Sequence, residues 1–165
     1  MKRINLIIAA IILATAGMAS ESRQQVDFAL FDTALPIGDG AIEPRPGADE
    51  TLLIQFWASW CHSCGSLMWD MDEIVSRNDG VRYVAVSIDD DVDAARVYIR
   101  KHRLFEKYSD RYFVDSEKAF AASLDITTVP TILLVNSRGE VLVRKSGHLN
   151  AADFQEFARA MRHAP

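Results

Sequence analysis

The chain has 165 residues, 49% hydrophobic and 25% charged, with 18 Lys and Arg against 23 Asp and Glu and only two cysteines. That length suits one domain with a real core, and a net charge of −5 argues against a nucleic-acid binder, which needs a clustered basic face. Two cysteines also exclude a disulfide-stapled miniprotein and a four-cysteine zinc site.

Residues 1–19 read as a signal peptide. Lys2 and Arg3 make a basic start, residues 6–16 an apolar core, and Gly17, Met18 and Ala19 supply the small residues of a cleavage site after Ala19. Cleavage after Ala16 and retention as a tilted anchor stay open, although the apolar run is shorter than the about 20 residues of a comfortable membrane span. Without Lys2 and Arg3 the basic residues fall to 16 against 23 acidic ones, so the mature chain carries about −7. Export places both cysteines in an oxidising compartment, most simply a bacterial periplasm.

Residues 20–50 form an irregular N-terminal extension carrying Pro36, Pro44 and Pro46. Its apolar patch at 28–31 predicts a short edge strand, and the Pro/Gly stretch after it a connecting loop. A domain over 51–165 follows. Residues 51–58 (TLLIQFWA) are a near-continuous apolar run, the pattern of a strand buried on both faces. Over 61–77, Leu67, Met68, Met71, Ile74 and Val75 recur at helical spacing. Residues 81–88 predict a second buried strand after the Asn78-Asp79-Gly80 turn, 93–103 a charged surface helix, and 116–124 a shorter helix. Residues 131–135 and 140–144 predict an antiparallel hairpin across Asn136, Ser137, Arg138 and Gly139. Asn150 caps a final helix over 151–163, with Asp153 near its positive end. The fold class is therefore α/β, a central mixed β-sheet flanked by helices on both faces.

The chemistry sits where the first long strand meets its helix: Trp60, Cys61, His62, Ser63, Cys64. Two cysteines separated by two residues at a helix start can close a small disulfide ring, with the first thiol facing the unpaired N–H groups and positive end of the helix. Such settings lower a thiol pKa from about 8.5 to between roughly 3.5 and 7.5. Cys61 is then the exposed nucleophile and Cys64 the resolving thiol one turn further in. A protonated His62 would add positive charge beside Cys61, and Ser63 either donates a hydrogen bond or faces solvent. A structural disulfide is the weaker alternative, because so short a loop constrains the unfolded chain little. Zinc or copper would need ligands that His62, His102, His148 and His163 do not supply as a motif. Covalent haem attachment fails, since Gly65 stands where a histidine is required.

These residues resemble the thioredoxin superfamily, and within it the exported reductases of the TlpA/ResA type. The carrying segments are 56–64 (FWASWCHSC), 84–89 (VAVSID) and 128–131 (TVPT), with Gly139 and Gly147 after the hairpin, across about 51–163. The resemblance implies a thioredoxin-like fold with a TlpA/ResA-like insertion, a helix and strand near 104–124. It also implies a cis-proline at Pro130, whose neighbour Val129 pairs through its backbone with an extended substrate. Trp60 and His62 border that contact, and the loop of Gly147 and His148 flanks the groove. His148 either touches a partner or is a solvated loop histidine. The chain departs from the pattern at Gln55, where thioredoxins carry a buried aspartate, and at Leu67, where TlpA/ResA proteins often carry a glutamate. Neither substitute can take the Cys64 proton. Trp69 replaces the helix-kinking proline, which predicts a straighter helix with Trp69 packed.

The reading is a monomeric, periplasmic thiol-disulfide oxidoreductase with no bound cofactor and no metal. The resemblance implies a reductase that draws electrons from a membrane thiol donor and acts on protein substrates with exposed cysteines, of the cytochrome c or copper-site maturation type. A disulfide oxidase or isomerase, or a Cu(I)-handling chaperone with His148 as third ligand, are the alternatives.

Overall fold

Strand β2 (Thr51–Trp57) is the spine of the fold and is buried at every residue. The computed structural model describes residues 24–38, 43–104 and 109–163, so the predicted signal peptide over 1–19 lies outside the described residues. Because side chains alternate across a strand, Leu53 and Trp57 enter one hydrophobic cluster while Leu52, Ile54 and Phe56 enter another on the opposite face. β2 pairs parallel with β3 (Val81–Ser87) and antiparallel with β5 (Thr131–Asn136). β4 (Tyr112–Val114) lies parallel to β3, β6 (Val141–Ser146) antiparallel to β5, and β1 (Leu35–Pro36) antiparallel to β4. The six-stranded order is β1-β4-β3-β2-β5-β6.

Helices cover both faces, as the α/β pattern predicts. On one face α1 (Cys64–Ser76), α2 (Val92–Lys101) and α4 (Ala151–His163) contribute Met68, Met71, Ile99 and Phe157 to the first cluster. On the other, α3 (Ala119–Ser123) contributes Phe120, whose ring meets Phe31 at 4.7 Å and Phe56 at 5.3 Å, both edge-on. Among the described residues, no helix is long and apolar enough to cross a membrane.

Three expectations are corrected. The patch at 28–31 is a 3-10 turn (Phe28–Asp32), not a strand. Asp27 starts it by accepting the Ala29 N–H at 3.0 Å, and Phe28 and Phe31, three residues apart, bury on the same side. The edge strand lies further on, at Leu35–Pro36. Helix α1 begins at Cys64 rather than Cys61. Trp69 is 40% exposed, because it lies off the Met68, Met71, Val75 stripe that faces the core.

The hairpin of β5 and β6 is fixed to the N-terminal segment at Gly139. Val26 N–H donates to the Gly139 carbonyl at 2.7 Å. Gly139 has φ +83°, and a Cβ there would stand 2.3 Å from the Val26 carbonyl oxygen, so glycine is required.

Candidate functional site

β2 delivers the chain to Cys61 at the mouth of α1. The Cys61 N–H donates back to the Ala58 carbonyl at 3.0 Å, and the Cys64 N–H to the Cys61 carbonyl at 3.4 Å. Cys61 and Cys64 are joined by a disulfide, with S–S 2.05 Å and Cα atoms 5.5 Å apart. Cys61 is 6% exposed and Cys64 fully buried, so a partner can reach only the first sulfur. With Ser63 as the N-cap of α1, Cys61 sits just ahead of the positive end of the helix. The Ser63 hydroxyl stands 3.9 Å from Cys61 Sγ. His62 and Trp60 flank the pair on the exposed side, Trp60 at 66% exposure.

A pocket of about 130 Å³ opens beside the pair, lined by Ser63, Leu67, Pro130, His148 and Phe154 among others. The Val129–Pro130 peptide is cis. The Gly147 N–H donates to the Pro130 carbonyl at 2.7 Å, which fastens the loop of His148 against this segment. Val129 is half-buried, and among the described residues its backbone N–H and C=O take no hydrogen-bond partner. Pro130 and His148 thus line the same pocket as Ser63, which lies between the two cysteines in the chain. Among the described residues, no three His, Cys, Asp or Glu side chains are placed to hold a metal ion.

Behind the pair, Gln55 Nε2 donates to the Cys64 carbonyl at 3.3 Å and Gln55 Oε1 accepts the Tyr83 hydroxyl at 2.9 Å. Burial, then Tyr112 and Asp72, push the Tyr83 phenol well above its ordinary range, so it remains a donor. On the other side, the Tyr98 hydroxyl donates to the Cys61 carbonyl and accepts the Gly65 N–H, both at 2.8 Å. The Tyr98 ring is flanked by Trp57 at 5.1 Å and His102 at 4.3 Å. Asp89, buried, accepts the Ser59 N–H at 2.8 Å, the Ser59 hydroxyl at 2.7 Å and the Ser87 hydroxyl at 2.6 Å. It thereby fixes the turn that carries Trp60 and Cys61.

Sequence reasoning assigned no role to Tyr98, His102, Tyr83 or Asp89. A signal existed for Tyr98, since Ala95, Tyr98 and Ile99 form a buried i, i+3, i+4 stripe inside a helix read as surface. Asp89 lay within the matched VAVSID segment, but its partners are 30 residues away at Ser59 and two away at Ser87.

A family model described as thioredoxin-like matches residues 49–141. The sporulation thiol-disulfide oxidoreductase A of Bacillus subtilis is 24% identical over 68% of this chain and 68% of its own length. The thiol-disulfide oxidoreductase ResA of Halalkalibacterium halodurans is 23% identical over 87% of this chain and 78% of its own. The crystal structure of StoA from Bacillus subtilis superposes with a TM-score of 0.56 at 22% identity, covering 69% of this chain and 85% of that one, a likeness of fold.

Proposed function

We propose that this chain, which belongs to the thioredoxin-like family and is a thiol-disulfide oxidoreductase, serves as an exported reductase of protein disulfides. The observation that carries this reading is the closed pair itself, with Cys61 at 6% exposure above a fully buried Cys64. In the dithiol state, the Cys61 thiolate attacks one sulfur of a substrate disulfide and expels the other as a thiolate. Cys64, after losing its proton, attacks the Cys61 sulfur, closes the pair and releases the second substrate thiolate. Two electrons pass to the substrate, and a membrane thiol donor restores the dithiol by the reverse exchange.

The free backbone of Val129 suits pairing with an extended substrate segment, with Pro130 shaping the contact and Trp60 and His62 at its rim. The resemblance to TlpA/ResA proteins supports the reductive direction and substrates of the cytochrome c or copper-site maturation type. The basic and apolar start of the chain supports export to the periplasm, and the protein is read as a monomer.

Insulin reduction coupled to a thiol donor tests the activity. Activity that vanishes in Cys61→Ser, with mixed disulfides accumulating on Cys64→Ser in cells, is the expected result. Undiminished reduction by Cys61→Ser contradicts the reading.

A further inference from the structure

The structure assigns Tyr98 as a positioning residue of the redox loop: its hydroxyl bridges the two ends of that loop, from the Cys61 carbonyl to the Gly65 N–H that follows Cys64. This rests on the redox reading of Cys61 and Cys64 and adds to it a part supplied by helix α2. Both bonds are 2.8 Å, shorter than the 3.4 Å bond from Cys64 N–H to the same Cys61 carbonyl. The tyrosine bond is thus the firmer of the two holding that carbonyl.

Three features keep the hydroxyl in place. Tyr98 is 7% exposed, and both hydrogen bonds of its hydroxyl are buried. Its ring is set between Trp57 and His102, and the His102 ring in turn lies against Gly65, where a Cβ would stand 2.7 Å from Nδ1. Burial also pushes the phenol above its ordinary value, against the lowering effect of the Gly65 N–H, so the group stays protonated and keeps donating.

When the S–S bond opens, two electrons enter the pair and the covalent link that held residues 61 to 64 disappears. The Tyr98 bridge does not depend on that link. It spans the same stretch from outside and holds the dithiol near the geometry of the closed ring, which raises the effective concentration of each thiol at the other. Resolution of a mixed disulfide by Cys64 is therefore faster, and the internal disulfide is favoured over two bonds to an external thiol.

The test is Tyr98→Phe in the full chain, which keeps the ring and removes only the hydroxyl. Equilibration of wild type and variant with reduced and oxidised glutathione is expected to show the variant's disulfide formation constant lower by about fivefold, the worth of one net hydrogen bond, or about 20 mV. Rapid-mixing measurement of mixed-disulfide resolution is expected to slow by a similar factor. A hydroxyl that merely stabilised the fold would weaken oxidised and reduced forms alike and leave the constant unchanged, and that result overturns the inference. A wild-type pair that fails to exchange with glutathione at all overturns the functional reading instead. Amide exchange at Gly65 in the wild-type dithiol is the check that needs no variant. Protection that persists after reduction supports the bridge, and its loss on reduction overturns it.

Discussion

Gln55 Nε2 lies 3.3 Å from the Cys64 carbonyl oxygen, and both residues are fully buried. A neutral amide suits that place, because it donates to the carbonyl while accepting the Tyr83 hydroxyl. Gln55→Glu puts a carboxyl at a fully buried position. Burial raises its folded pKa above the unfolded value of about 4.3. Stability is then retained below that unfolded value and lost as pH rises through the folded pKa. Unfolding free energies from urea titrations of the variant should match wild type near pH 4 and fall behind it by about 1–3 kcal/mol at pH 8. Parallel pH profiles would contradict the arrangement.

Gly65→Ala should destabilise the protein although alanine favours a helix by about 1 kcal/mol over glycine. The added Cβ meets His102 Nδ1 at 2.7 Å, and that ring is held against Tyr98. Combining it with His102→Ala removes the clash, so the double variant should recover stability beyond the sum of the single effects in a double-mutant cycle. Simple additivity would show that the ring moves aside freely.

Asp89→Asn replaces one accepting oxygen with an amide nitrogen, facing three donors from Ser59 and Ser87. The expected cost is about 1–3 kcal/mol of unfolding free energy, with faster amide exchange at Ser59. Unchanged exchange there would show that another contact holds the turn before Trp60.

At the start of α4, the Asp153 carboxylate accepts the Asn150 N–H at 2.9 Å and pairs with Lys145 at 3.2 Å. The Asn150 N–H first, then Lys145, hold its pKa below the ordinary value. Its stabilising effect is present above the unfolded pKa of about 3.9 and disappears as pH falls through the depressed folded value. Melting temperatures of wild type and Asp153→Asn should therefore differ most above that pH and converge in stronger acid. A constant difference down to pH 2 would contradict this assignment.

Much of the fold was legible because the long strands are continuous apolar runs and the helices bury regular stripes. β2, β3 and the β5–β6 hairpin lie within a residue or two of expectation, and α4 matches at both ends. The patch at 28–31 failed because four apolar residues suit a strand or a 3-10 turn, and only packing of Phe31 on Phe113 and Phe120 decides between them. β4, three residues long, is too short for periodicity and was reached only through the resemblance. The cysteine pair announced itself by spacing and context. Its supports did not, since Tyr98 is 37 residues from Cys61 and Tyr83 is 28 from Gln55, and such contacts exist only once the sheet has formed.

The most direct test of the central claim is the reduction potential of the Cys61–Cys64 pair, measured by equilibration with a thiol-disulfide buffer of known potential. A reductase requires a value near that of thioredoxin, about −270 mV, with a single two-electron transition that is absent in Cys61→Ser. A value near −120 mV, that of a strong disulfide donor, would contradict the reductive role.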